Sequence, residues 1–168
     1  MKSFLYWFFM VWLAIALEAL LRNIGLFLPL TAFSVFYFTS ARGYKIGITT
    51  ALIAGFLLDS IFCFSSALSS LFLLFAVLAV FIVKNAPKLP WFVHYSLTGM
   101  LLAVSITMPL QLLRGTAYSI LNILPNLAFM LLLSAIFFPL YLSVADSLSN
   151  HLSLPVIDEK LNPKSFDE

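Results

Sequence analysis

Two acidic residues, Glu18 and Asp59, lie inside long apolar segments of the sequence. A charged side chain at the centre of a bilayer costs at least about 2.5 kcal/mol on insertion scales, so its position needs a physical reason. Arg22 follows Glu18 by one helical turn and therefore lies on the same helix face. Gln111 and Arg114 end another apolar segment. These five residues form a candidate polar cluster, whose chemistry would be ion pairing and hydrogen bonding to a partner or a pocket ligand.

Other side chains with catalytic or metal-binding potential occur singly. Cys63 is the only cysteine, which excludes an intrachain disulfide and a cysteine-rich metal site. His94 and His151 have no ligand partners near them in the sequence. The sequence contains no Ser-His-Asp order, glycine-rich phosphate loop, HExxH or paired-cysteine motif. We therefore predict no catalytic residue, no metal ligand and no cofactor.

Composition indicates the environment in which the chain folds. Hydrophobic residues make up 62% of its 168 residues and charged residues 10%, against about 45–50% and about 25% in soluble domains. A soluble fold of this length could not bury so much apolar surface. The apolar runs lack the alternation of barrel strands, so helices are the expected spanning elements. Basic residues form no patch and the net charge is only +2, which argues against nucleic-acid binding.

The sequence thus predicts an all-α, polytopic membrane protein of about six transmembrane helices within residues 1–145. A spanning helix needs about 17–25 mostly apolar residues. The predicted spans are about 4–21, 24–40, 46–64, 67–83, 91–113 and 118–144. Pro29 lies near the start of the second span. Residues 146–168 are predicted to form a polar cytoplasmic tail.

Basic residues near the span ends predict the orientation, because cytoplasmic loops are enriched in Lys and Arg. With both termini inside, seven basic residues lie on the inner side and only Arg22 and Arg114 on the outer side. The seven are Lys2, Arg42, Lys45, Lys84, Lys88, Lys160 and Lys164.

This orientation fixes the depth of the polar cluster. At 1.5 Å per residue, Glu18 and Asp59 lie roughly 20 Å from the inner ends of their helices, in the outer third of the membrane. Three interpretations remain open: an outer cap of paired or snorkelling side chains, a polar site facing a partner or a water-filled pocket, and a proton- or ion-coupling site. Coupling sites usually lie nearer the midplane, which disfavours the third.

The third predicted helix carries a small-residue seam. Gly43, Gly47, Ala51 and Gly55 recur every four residues. Small side chains at that spacing allow another helix to approach closely. The seam predicts either internal packing of the bundle or docking of a second copy or partner.

The segment from Pro29 to Val83 combines several features. Its most specific part is Gly55-Phe-Leu-Leu-Asp59 after a basic turn at Arg42-Gly43. The other features are Pro29-Leu30, the aromatic-aliphatic segment 33–38, and the break Ser65-Ser66-Ala67-Leu68. With these features the segment resembles the rod shape-determining protein MreD family. The chain differs from that family in having Leu30-Thr31 where the family often carries an acid, and Leu68-Ser69 where it often has Leu-Gly.

The resemblance implies a non-catalytic scaffold in the bacterial inner membrane, within the cell-elongation machinery. Such proteins bind the mainly periplasmic MreC and link the MreB cytoskeleton to peptidoglycan synthesis. The family also resembles in fold the substrate-binding subunits of energy-coupling-factor vitamin transporters. A vitamin-binding transport subunit is therefore the alternative hypothesis, and a proton- or ion-coupled carrier is a third.

Overall fold

The computed structural model describes residues 2–62, 68–85, 90–113, 120–154 and 156–157, without the side chains of 107–113 and 120–126. Within these ranges the chain forms six α-helices, which confirms the all-α prediction. They are α1 (Lys2–Asn23), α2 (Leu30–Arg42), α3 (Tyr44–Ile61), α4 (Leu68–Lys84), α5 (Trp91–Leu113) and α6 (Ile120–His151). Cys63 and the predicted break at Ser65-Ser66 lie outside the described residues.

Three helical segments in the described part of the chain are long and apolar enough to cross a membrane. They are Lys2–Asn23, Tyr44–Ile61 and Leu127–His151. Leu68–Lys84 and Trp91–Ile106 are shorter apolar helices. Large apolar side chains such as Phe4, Phe56 and Phe81 point outward and are exposed. An apolar exterior of this extent is consistent with a membrane protein, because soluble monomers rarely expose large apolar patches.

The predicted start of the second helix at residue 24 is wrong, because α2 begins at Leu30. Gly25 adopts φ +81° and ends α1. Its N–H donates to the Arg22 carbonyl at 3.1 Å, and the Leu26 N–H donates to the Leu21 carbonyl at 2.9 Å. This pair of bonds is a Schellman motif, which favours glycine at the left-handed position. Pro29, which lacks an N–H, then precedes the first residue of α2.

The predicted helix end at residue 144 is also wrong, because α6 continues to His151. The added turns bury Ala145 and Ser149 inside the bundle. A second Schellman motif ends the helix, with Ser153 at φ 56° and the Leu154 N–H bonded to the Ser149 carbonyl at 2.9 Å. The first six residues of the predicted tail, 146–151, are therefore part of α6.

Helix α2 is the centre of the bundle and contacts each of the other five helices. Every side chain from Leu30 to Ser40 is buried. Around it, α3 packs along α4 and α5 packs along α6. With 13 residues, α2 is about 20 Å long, shorter than the roughly 30 Å hydrocarbon core of a bilayer.

Candidate functional site

Glu18 joins α1 to the start of α2. Its side chain is 2% exposed. Glu18 Oε1 accepts a hydrogen bond from Arg22 Nη2 at 2.7 Å, and Oε2 accepts one from the Thr31 backbone N–H at 3.0 Å. The first N–H groups of a helix lack partners and carry partial positive charge, so a carboxylate there is favourable. Pro29 makes no side-chain capping bond. The carboxylate of Glu18 supplies the cap from a different helix.

Arg22 connects the same site to the end of α3. Its guanidinium lies 4.2 Å from the centre of the Phe62 ring, which is a cation–π distance. The Arg22 side chain is 10% exposed. The ion pair with Glu18 is therefore largely desolvated, and its two charges depend on each other.

Asp59 repeats the arrangement one hairpin later. Its side chain is 6% exposed. The Ser69 backbone N–H lies 3.1 Å from Oδ1 and 3.3 Å from Oδ2. Ser69 is in the first turn of α4. Asp59 therefore caps α4 as Glu18 caps α2, and each acid fixes the start of a later helix.

Replacing Asp59 should destabilise the protein by removing this cap. Asp59→Ala leaves the buried Ser69 N–H without its acceptor, and such a group costs about 1–3 kcal/mol. Asp59→Asn keeps one acceptor oxygen and should lose less. Thermal unfolding of the purified protein in mild detergent, followed by circular dichroism, measures both. Ser60→Ala, at the exposed neighbouring position, is the control. Identical melting of Asp59→Ala and the control would contradict the capping role.

The two capped helix starts border one narrow cleft. Glu18, Arg22 and Ser69 line it together with apolar residues such as Leu58 and Ile106. The structure therefore brings Glu18 and Arg22 together, and places Asp59 behind Ser69 at the same end of the bundle. Of the other predicted members of the polar cluster, Arg114 and the side chain of Gln111 lie outside the described residues.

The small-residue seam packs against helices of the same chain. A Cβ on Gly47 would overlap the Thr39 side chain of α2, and a Cβ on Gly55 would overlap the backbone of Ser70 in α4. Ala51 between them is fully buried. These contacts correspond to the internal-packing interpretation.

Gly43 does not have the packing role that was predicted for the small-residue seam. Among the described residues, no atom lies within 4 Å of the position that a Cβ would take there. Its φ of +92° instead forms the turn between α2 and α3. Glycine adopts this conformation without the steric penalty of a side chain.

A tyrosine clamp lies at the opposite end of the bundle, formed by Tyr6, Tyr37 and Ala145, and was not predicted from the sequence. Both phenol groups donate to the Ala145 carbonyl, Tyr6 at 2.9 Å and Tyr37 at 3.2 Å. Nearby, Arg42 Nη1 donates to the Ser3 carbonyl at 3.0 Å. The available signal was weak, since aromatic residues near span ends usually indicate an interface rather than a specific bond.

The geometry assigns structural roles to Glu18 and Asp59. Both acids accept hydrogen bonds from backbone groups that they hold in place. Among the described residues there is no group of three or more His, Cys, Asp or Glu side chains that could hold a metal ion. No protein-family model, curated protein or solved structure matches the chain.

Proposed function

We propose that the chain is a non-catalytic, multi-pass scaffold of the bacterial inner membrane that serves the cell-elongation machinery. In this proposal both termini are cytoplasmic, an MreC-like protein binds the scaffold, and the assembly links MreB to peptidoglycan synthesis. The observation that carries the proposal is the segment Gly55 to Asp59, which resembles the MreD family. Gly55 admits the α4 backbone and Asp59 caps its first turn, so the segment is a device for joining two helices.

A fixed bundle supports a scaffold better than a carrier. A coupling carboxylate must release one partner to take up a proton or ion, whereas Glu18 and Asp59 each hold a helix start. Moving either carboxylate away would leave a buried backbone N–H without an acceptor, which is energetically costly. The third hypothesis, an ion-coupled carrier, therefore receives no support from this geometry.

The partner surface that fits this geometry is the turn between α1 and α2. Glu18 and Arg22 are nearly buried, so they hold the turn in position and do not place a charge on its surface. Ile24 stands out from it with 71% of its side chain exposed. A large apolar side chain held on a rigid turn suits the central contact of a protein interface.

Disrupting this turn should separate the partner without unfolding the bundle. Ile24→Gln is expected to lower recovery of the MreC-like protein at least about fivefold in a pull-down from native membranes in mild detergent, since a lost interface anchor commonly costs more than 1 kcal/mol. Ile46→Gln, which changes an exposed isoleucine at the opposite end, is the matched control. Depletion of the whole protein should turn rod-shaped cells round. Normal rods after depletion, with no MreC-like protein recovered, would overturn the proposal.

The alternative is a vitamin-binding transport subunit. The cleft that Glu18 and Arg22 line has a volume of about 10 Å³, room for about one water molecule, so it does not favour this alternative over the scaffold. Mass spectrometry of small molecules extracted from the purified protein separates the two functions. A vitamin that is bound to the wild type and absent from Arg22→Ala would support the transport function and contradict the scaffold function. Its absence, together with recovery of the partner protein, would support the scaffold.

A further inference from the structure

An apolar groove lies between the first turns of α1 and the last turns of α6. Leu5 and Phe9 line one side, and Leu148 and Leu152 line the other. The Tyr6 hydroxyl holds the two helices together beneath it through the Ala145 carbonyl. All four apolar side chains are exposed, so the groove is open along its length.

One cation lines this groove and a second lies next to a lining residue. Lys2 lines the groove directly and is exposed. Arg42 is not part of the lining, but its guanidinium lies 5.7 Å from the centre of the ring of Tyr6, a lining residue, and its Nη1 donates to the carbonyl of Ser3.

One nitrogen of the Arg42 guanidinium has no hydrogen-bond partner among the described residues. A guanidinium carries five N–H donors. Arg42 Nη2 is buried and, among the described residues, has no hydrogen-bond partner. Buried donors in folded proteins are normally satisfied, so this nitrogen calls for an acceptor that the described residues do not supply. A phosphate ester suits it, because arginine binds phosphate through paired, charge-assisted hydrogen bonds.

We propose that the groove binds an anionic phospholipid. One acyl chain lies along Leu5, Phe9, Leu148 and Leu152, and the phosphate diester lies against Lys2 and Arg42. Charge complementarity selects this occupant, because an apolar groove that is lined by Lys2 and has Arg42 next to it matches an anionic headgroup joined to a hydrocarbon chain. Basic pockets between transmembrane helices at the cytoplasmic face bind such headgroups. The lipid site does not depend on the cell-elongation role, but it rests on the proposed topology, which places this end of the bundle at the cytoplasmic face.

Native mass spectrometry of the full-length protein in mild detergent tests the proposal, with phosphatidylglycerol and phosphatidylcholine of identical acyl chains as the probes. The wild type should bind phosphatidylglycerol at least about tenfold more tightly. Lys2→Gln and Arg42→Gln should each weaken that binding about fivefold, because each cation near an anionic lipid surface raises the affinity by about that factor. The double variant should weaken it about twentyfold. Arg42→Lys keeps the charge, so its affinity for phosphatidylglycerol should stay within about threefold of that of the wild type.

Lys45→Gln is the matched control, because it removes an exposed cation at the same end of the bundle away from the groove. Equal binding of the two lipids, or an equal loss in Lys45→Gln, would overturn the proposal.

Leu148→Trp tests the acyl site in case Arg42→Gln fails to fold. It fills the groove and keeps both charges, so it should also weaken phosphatidylglycerol binding about fivefold or more. Unchanged lipid binding in Leu148→Trp would refute the acyl-chain site. If the wild type proved dimeric and Leu148→Trp monomeric, with lipid binding intact, the groove would bind a second copy of the chain and the lipid proposal would be overturned.

Discussion

Glu18→Ala is expected to lower the free energy of unfolding by about 3–5 kcal/mol, the range for removing one partner of a buried ion pair. The substitution leaves the Arg22 guanidinium, 10% exposed, without its counter-charge. It also removes the acceptor of the Thr31 N–H at the start of α2. Thermal unfolding in detergent and the amount of protein in the membrane fraction measure the loss together.

Two further variants separate the contributions of Glu18. Glu18→Gln keeps an acceptor for the Thr31 N–H but removes the charge, so its loss should be smaller than that of alanine. The double variant Glu18→Ala with Arg22→Ala removes the orphaned cation and should recover part of the stability. If the double variant lost as much as the two single variants added together, the ion pair would not be coupled and this account would fail.

Gly55→Ala is expected to destabilise the α3–α4 pair by about 1–2 kcal/mol. The new Cβ would overlap the Cα and N of Ser70, and a backbone cannot rotate aside as a side chain can. Overpacking costs about 1–3 kcal/mol, while the better helix propensity of alanine returns at most about 1 kcal/mol. The steric cost therefore exceeds the gain. Gly55→Leu should accumulate poorly in membranes, as measured by quantitative immunoblotting.

Ser60→Thr controls for the added methyl group, because it enlarges an exposed residue of the same helix. Gly47→Ala gives a graded comparison, since its Cβ would meet the Thr39 side chain rather than a backbone. We expect the order of melting temperatures to be Ser60→Thr, then Gly47→Ala, then Gly55→Ala at the lowest. A melting temperature of Gly55→Ala above that of Ser60→Thr would disprove the close approach of α3 and α4.

Hydropathy predicted the helices that have long uninterrupted apolar runs. The starts of α3, α4 and α5 differ from the predicted starts by at most two residues, because polar residues interrupt the apolar runs before these helices. The start of α2 was not predictable from hydropathy, since residues 24–29 are apolar but not helical. Gly25 and Pro29 were the signals that mark this interruption.

The candidate site was predictable only in part. The spacing of Glu18 and Arg22 predicts their ion pair, because four residues make one helical turn. The partners Thr31 and Ser69 could not be predicted, since they depend on where the next helix begins in space. The spacing of Gly47 and Gly55 predicts close helix contacts, but it does not specify that α2 takes one glycine and α4 the other.

The burial of α2 from Leu30 to Ser40 has a consequence for biogenesis. Its hydroxyl side chains, Thr31, Ser34, Thr39 and Ser40, are buried within the bundle, and a helix of about 20 Å is too short to partition stably into lipid by itself. In the proposed topology, we therefore expect α2 to be stable in the membrane only together with the helices that cover it. Four of these, α3 to α6, follow it in the chain, so we expect its stable insertion to come after their synthesis.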